Sequence, residues 1–111
     1  MRKKNYKGRC EKRILSKCKG VCRTYDSLQY KYSEMLEANE NVKEFCCNVE
    51  LDTQDYTIDF VCITIDDDIM VRECVLKKHL TKPMTVKLLD ISREYWLKRG
   101  VKDWGLVVNE E

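Results

Sequence analysis

The hydrophobic spacing of this chain changes from helical to alternating and back to helical, and this order constrains the fold more than any other feature. In the first helical stretch, aromatic and aliphatic residues recur three or four positions apart: Tyr25, Leu28, Tyr32, Met35 and Leu36. This spacing is typical of a helix with one buried face. Thr24 or Asp26 can cap its N-terminus. The helix is expected to end near Asn39 to Asn41, where two asparagines flank Glu40.

Three strands are predicted after this helix, because the apolar period changes to two. The first is indicated by four apolar residues at alternate positions: Phe45, Cys47, Val49 and Leu51. Asp52 to Asp55 form a polar turn, and a second strand runs from about Tyr56 to Ile65, a stretch rich in aromatic and β-branched residues. The acidic reversal at residues 66–68 leads into a third strand from Ile69 to Val75.

A second helix and a short final strand complete the pattern. Pro83 suits the first turn of a helix, and Gly100 supplies its C-terminal stop. Between them lies one apolar stripe: Met84, Leu88, Ile91 and Tyr95. Residues 104–108 form the last strand. With 111 residues and 43% hydrophobic content, the chain is predicted to be a single α/β domain of order α-β-β-β-α-β, with a mixed sheet flanked by helices.

The charge of the chain is divided unevenly along its length. Residues 1–23 carry ten Lys and Arg against one acid, a net +9, whereas the remaining 88 residues carry 11 basic and 18 acidic residues, a net −7. We therefore predict a basic N-terminal arm over residues 1–22, with a short helical turn from Glu11 to Leu15, and a folded domain over residues 23–111.

Such an arm indicates contact with a polyanion, most often nucleic acid, although a solvated tail that keeps a small protein soluble is the alternative. The residues expected to contact DNA are Arg2, Lys3, Lys4, Lys7, Arg9, Lys12, Arg13, Lys17 and Lys19.

The cysteines and the absence of long apolar runs indicate a reduced, cytoplasmic protein. No stretch approaches the roughly 20 apolar residues of a membrane span, and no signal peptide is recognisable, so no membrane partner is expected. An odd count of seven cysteines favours free thiols over a disulfide framework. Cys10, Cys18, Cys22 and the Cys46-Cys47 pair could supply four thiolates to zinc. However, the C-x₃-C spacing is unusual and adjacent strand residues face opposite sides, so a zinc site is not expected.

Asp59 and Glu73 are the acidic residues most indicative of function, because they lie on neighbouring predicted strands. Two acids that point to one side of a sheet are a common means of holding a divalent metal against a phosphate. The pattern predicts that both residues are ligands of Mg²⁺ or Mn²⁺. A second interpretation stays open, in which the acids form hydrogen bonds or salt bridges without a metal, since a buried acid is costly unless it is paired.

Seven short motifs occur in a defined order along the chain. They are Tyr25-Asp26-Ser27-Leu28-Gln29, Met35-Leu36-Glu37, Asn41-Val42-Lys43-Glu44-Phe45, Tyr56-Thr57-Ile58-Asp59-Phe60, Met70-Val71-Arg72-Glu73-Cys74, Leu80-Thr81-Lys82-Pro83 and Tyr95-Trp96-Leu97-Lys98-Arg99-Gly100. In this order and spacing, residues 25–109 resemble the N-terminal endonuclease domain of the transposon protein TnsA, within the PD-(D/E)XK nuclease superfamily. The resemblance implies a minimal restriction-endonuclease-like fold.

The resemblance also implies a set of catalytic positions, two of which depart from the family pattern. The family places a helix glutamate, a strand aspartate, a second acid or glutamine, and a lysine around magnesium. Asp59 and Glu73 match the two strand positions, whereas the helix position is Gln29 and the lysine position is Val75. Losing the lysine is expected to lower the rate by roughly 10²–10⁴. Lys77, if the strand continues that far, or Lys78 could replace it, and metal binding is expected to be weak or absent.

Three functions follow as expectations. The leading one is a catalytically impaired, nuclease-derived module of a mobile genetic element that binds DNA, a protein partner, or both. It would act in transposition or other recombination, or inhibit a host defence nuclease as an anti-CRISPR protein does. The alternatives are an active Mg²⁺-dependent endonuclease of the TnsA type and a purely protein-binding inhibitor whose acidic body mimics DNA. The sequence indicates neither the oligomeric state nor the partner's identity.

Overall fold

The predicted order of elements is confirmed from the first helix onward. A computed structural model of the chain describes residues 11–51 and 56–109. Its elements are β1 (Glu11–Arg13), β2 (Cys22–Thr24), α1 (Ser27–Ala38), β3 (Val42–Leu51), β4 (Tyr56–Thr64), β5 (Ile69–Val75), a 3₁₀ turn (Lys77–His79), α2 (Pro83–Lys98) and β6 (Asp103–Val108). The predicted turn at Asp52 to Asp55 lies outside the described residues.

A four-stranded mixed sheet forms the centre of the molecule. Its strand order is β3-β4-β5-β6, in which β3, β4 and β5 are mutually antiparallel and β6 runs parallel to β5. A separate two-stranded antiparallel sheet joins β1 to β2. The α/β class and the mixed sheet flanked by helices are therefore confirmed.

Two buried clusters pack between this sheet and the helices. The first consists of Cys18, Cys22, Leu36, Val42, Phe45, Phe60, Cys62 and Cys74. The second consists of Ile58, Val71, Leu88 and Val101. Because α1 supplies Leu36 to the first cluster and α2 supplies Leu88 to the second, each helix covers its own part of the sheet.

The helix ends agree with the sequence signals. Asp26 caps α1, since its carboxylate accepts a hydrogen bond from the backbone N–H of Gln29 at 2.8 Å. Pro83 opens α2, and Gly100 follows it with a φ of 81°, a left-handed conformation that glycine adopts without strain. Over the described ranges, neither helix has the length and apolar character needed to cross a membrane.

The side-chain alternation of β3 and β4 is interrupted at one level of the sheet. On β3, Cys47 packs against the first cluster and Val49 packs against the second, although residues two apart on a regular strand share a face. Asn48 lies between them with a φ of 56°. Their partners on β4 show the same division, since Phe60 belongs to the first cluster and Ile58 to the second. Asp59 lies between these two partners, so the register places it opposite Asn48, at the irregularity.

Residues 11–24 pack into the domain rather than extending from it. Cys18 and Cys22 are buried in the first cluster, and two backbone hydrogen bonds join residues 17–19 to Phe45 of β3, at 2.9 and 3.0 Å. The predicted helical turn from Glu11 to Leu15 is wrong, because Glu11–Arg13 is a strand paired with β2. A single isolated helical turn has little stability of its own, so pairing with β2 prevails.

Candidate functional site

Gln29, Asp59 and Glu73 come together in the interior of the protein. Gln29 lies in the first turn of α1, Asp59 on β4 and Glu73 on β5. Their exposed fractions are 1%, 1% and 0%. The structure therefore brings together three of the four residues that the sequence singled out, and it buries all three.

Gln29 is oriented by a hydrogen bond at each end of its amide. Its Oε1 accepts from the backbone N–H of Tyr25 at 2.7 Å, and its Nε2 donates to Oδ1 of Asp59 at 3.0 Å. The amide oxygen, which is the atom that could coordinate a metal, is therefore turned toward the backbone. The end facing Asp59 carries the partial positive charge of an NH₂ group.

The two carboxylates accept backbone hydrogen bonds between β4 and β5. Oδ2 of Asp59 accepts from the backbone N–H of Cys74 at 2.7 Å, and Oε1 of Glu73 accepts from the backbone N–H of Asp59 at 3.0 Å. The regular β4–β5 pairs end at Phe60 and Arg72, one residue before the acids. The acidic side chains thus satisfy backbone donors where the ladder stops, which removes the cost of leaving buried N–H groups unpaired.

The position expected to carry a lysine is apolar and closed. Val75 is the last residue of β5 and is 5% exposed. Lys77 lies beyond the end of that strand, in the exposed 3₁₀ turn, where its backbone N–H donates to Oδ1 of Asn109 at 2.7 Å. Since β5 does not continue to residue 77, the strand does not direct the Lys77 ammonium toward the acids.

Arg72 does not serve as the partner of its sequence neighbour Glu73. Its guanidinium contacts Asp103 on the adjacent strand, with Nη2 2.7 Å from Oδ1 and Nη1 3.1 Å from the backbone oxygen. This agrees with the expectation that a regular strand turns Arg72 away from Glu73.

A second constellation, which the sequence spacing did not predict, consists of Cys18, Cys22 and Cys47. We call these three residues the thiol cluster. Among the described residues they form a group whose sulfur atoms all lie within 4.8 Å of one another, with 4.0 Å between Cys18 and Cys47. The sequence signals are the C-x₃-C pair and the distant Cys46-Cys47 pair, but their spacing does not indicate that Cys47 reaches the first two cysteines.

The thiols of this cluster differ in pKa because they share hydrogen bonds. The pKa of Cys22 is lowered to about 6, chiefly because the Cys47 thiol donates to it, with smaller contributions from Ser33 and Arg13 and an opposing one from burial. Burial and the neighbouring Cys22 charge raise the pKa of Cys18 to about 11. The hydrogen bond with Cys22 also raises the pKa of Cys47. The opposite directions of these pKa shifts favour a thiolate at Cys22 over one at Cys18 or Cys47.

The reduced, metal-free protein should become more stable as the pH rises from about 6 to 9, and Cys22→Ser should lose that gain. In this range the unfolded thiol holds a proton that the folded Cys22 has released, so stability increases with pH. Above about pH 9 the raised pKa values of Cys18 and Cys47 reverse the pH dependence, so stability then falls as the pH rises. Urea unfolding with chelator and reductant across this range measures the effect. A constant stability difference between the parent and Cys22→Ser would contradict it.

The basic residues of the predicted arm fall into three groups. Arg2, Lys3, Lys4, Lys7 and Arg9 lie outside the described residues, and Lys12 is exposed. The other three make contacts within the domain. Arg13 lies 3.7 Å over the Tyr30 ring, Lys17 donates to the backbone oxygen of Asn39 at 2.7 Å, and Lys19 pairs with Glu44 at 3.1 Å.

Comparison with known proteins adds no family to these observations. No protein-family model matches the chain, and no curated protein matches it.

Proposed function

We propose that this chain is a nuclease-derived module that no longer cleaves phosphodiesters and instead binds DNA through its basic N-terminal residues. The observation that carries the proposal is the hydrogen bond from the Gln29 amide to Asp59, which occupies one oxygen of the acid expected to bind metal. The order of elements and the TnsA-like motifs support an origin in a nuclease of a mobile genetic element. In that setting the protein acts in the cytoplasm, in recombination or in the inhibition of a host defence nuclease.

The hydrogen bonding of the acids disfavours catalysis by this site. Magnesium demands near-octahedral coordination by oxygen ligands, usually from one or two carboxylates plus water and phosphate. Both oxygens of Asp59 already accept hydrogen bonds, and the Gln29 group nearest to it is a donor. The position expected to carry the lysine holds Val75, whose side chain has no ammonium group, and Lys77 lies beyond the end of β5. We therefore assign the side chains of Asp59 and Gln29 to stabilising the sheet and α1 rather than to coordinating a metal.

The charge of the N-terminal residues supports the DNA-binding part of the proposal. Residues 1–10 carry five Lys and Arg and no acid. Because Arg13, Lys17 and Lys19 already make contacts within the domain, we assign most of the phosphate contact to the residues that precede Glu11, assisted by Lys12. Such contacts release counterions from DNA and give an affinity that falls steeply with salt.

The protein should not nick supercoiled plasmid DNA in the presence of Mg²⁺ or Mn²⁺. We expect no cleavage because the buried carboxylates accept hydrogen bonds from backbone N–H groups and from the Gln29 amide instead of binding a metal. The assay compares the parent protein with Asp59→Ala over a long incubation, followed by agarose gel electrophoresis. Equal nicking by the parent protein and Asp59→Ala would indicate a contaminating nuclease. Nicking that disappears in Asp59→Ala would overturn the proposal and favour the active endonuclease.

The protein-binding alternative is separated from DNA binding by a salt series. The body of the molecule is acidic, so an inhibitor that mimics DNA would bind a basic partner protein and not DNA itself. Undetectable affinity for DNA at low salt, measured by fluorescence anisotropy, would favour that alternative. Affinity that falls linearly on a log–log plot against salt would support the proposal.

A further inference from the structure

We infer that Cys18, Cys22 and Cys47 form a zinc site with three thiolate ligands and a fourth position open to water or an external ligand. Nothing in the nuclease resemblance assigns a role to these residues, and the site is separate from the acids between β4 and β5. The inference rests on the positions of the three sulfur atoms and on the groups around them.

The sulfur positions match those of a zinc–thiolate centre. Tetrahedral zinc with Zn–S bonds of about 2.3 Å places its sulfur ligands roughly 3.8 Å apart. The Cys18–Cys47 separation of 4.0 Å is close to this value, and all three sulfurs lie within 4.8 Å of one another. A small movement of the side chains therefore suffices to place a single ion equidistant from them.

The ligands come from three segments that other contacts hold in place. Cys18 lies in the segment bonded to Phe45, Cys22 begins β2, and Cys47 belongs to β3. Gly20, with a φ of 75°, reverses the chain between the first two cysteines. A metal bound here would join the two-stranded β1–β2 sheet to β3, at the edge of the main sheet.

The charges near the cluster suit a metal–thiolate complex. Three thiolates and Zn²⁺ carry a net −1 charge, and the thiols that are protonated lose their protons to solvent when the metal binds. Arg13 lies opposite Cys22 in the β1–β2 pairing, and its Nε is a buried donor with no hydrogen-bond acceptor among the described residues. A guanidinium donor beside the sulfur ligands would stabilise the excess negative charge. Cys47 is half-buried, which leaves a route for the ion to enter.

The test is metal binding by the reduced, full-length protein after treatment with chelator. Added Zn²⁺ should be retained at one ion per chain after gel filtration, as measured by inductively coupled plasma mass spectrometry. Replacement by Co²⁺ should produce thiolate-to-cobalt charge-transfer bands and the intense visible bands of tetrahedral cobalt. Zinc at about 100 times its Kd should raise the Tm by roughly 10 °C.

Matched variants separate this site from adventitious binding. Cys18→Ser and Cys47→Ser should each lower zinc affinity at least about 10-fold and weaken the cobalt charge-transfer bands, because each removes one thiolate. Cys46→Ser alters a neighbouring thiol outside the cluster and should leave both readouts unchanged. The cobalt spectrum of the parent protein remains decisive if a variant fails to fold. Absence of thiolate-to-cobalt bands in the parent would overturn the inference, as would equal zinc binding by Cys47→Ser.

Discussion

Gln29→Glu should destabilise the protein by about 2–4 kcal/mol at neutral pH, and combining it with Asp59→Asn should restore most of that loss. The single substitution places a carboxyl against the Asp59 carboxylate in the interior, where Gln29 now donates a hydrogen bond. Two buried carboxylates cannot both remain ionised at low cost, so one must take up a proton. The loss should therefore be smaller near pH 5 than near pH 7.5, since the introduced acid is more readily protonated there.

Asp59→Asn alone should also destabilise the protein, because asparagine has one amide oxygen where aspartate presents an oxygen to each of two donors. The Cys74 N–H and the Gln29 Nε2 both point at Asp59, so one of them would meet an NH₂ group. In the double variant the polarity is reversed, and the donor and acceptor of each of these hydrogen bonds are matched. The introduced amide donates to the introduced carboxylate and accepts from Cys74, while the carboxylate also accepts from Tyr25.

Urea unfolding of the parent, the two single variants and the double variant measures the coupling as a double-mutant cycle. A favourable interaction of about 2 kcal/mol or more is expected. Asn41→Asp, an exposed amide-to-acid change, provides the control and should lie within about 0.5 kcal/mol of the parent. A metal site would behave in the opposite way, because Mg²⁺ would then stabilise Gln29→Glu selectively. That result would contradict the structural role assigned to Gln29.

Neutralising the first five basic residues should abolish most of the DNA affinity. The variant carries glutamine at each of these positions: Arg2, Lys3, Lys4, Lys7 and Arg9. If each contacts a phosphate, the magnitude of the slope of log K against log salt should fall by about 4.5, and affinity at low salt should fall at least about 100-fold. Fluorescence anisotropy with a labelled duplex over a range of salt concentrations measures both quantities.

A control with the same change in net charge distinguishes local contact from general attraction. Five exposed basic residues on or near α2 can be replaced by glutamine in the same way: Lys82, Lys87, Arg93, Lys98 and Lys102. This control should retain most of the affinity and most of the salt slope. An equal loss in both variants would mean that overall charge, rather than the N-terminal residues, governs binding.

The elements from α1 to β6 could be predicted because their signals are local. Pro83, Gly100 and the cap at Asp26 mark helix ends through interactions within a few residues, and the alternating period of β3 and β4 arises from burial of one face. The strand Glu11–Arg13 could not be predicted, since it exists only by pairing with residues 22–24. Its own composition indicates a solvated arm.

The proximity of Gln29, Asp59 and Glu73 could be predicted, but the arrangement of their hydrogen bonds could not. Asp59 and Glu73 follow from two neighbouring strands, yet the orientation of the Gln29 amide depends on the Tyr25 N–H, which no residue pattern encodes. The irregularity at Asn48 is equally invisible in sequence, because it is a backbone conformation. The thiol cluster needs the fold itself, since Cys47 lies 29 residues from Cys18 along the chain.

The hydrogen bonds between residues 17–19 and Phe45 lie at the outer edge of the four-stranded sheet. Strand β3 is an outermost strand, and unpaired outermost strands invite pairing with a second molecule. Residues 17–19 occupy the backbone groups of β3 at Phe45, where they would hinder pairing with a second molecule. A truncation that begins after residue 19 would uncover β3 and favour aggregation, so shortened forms would precipitate for reasons unrelated to DNA.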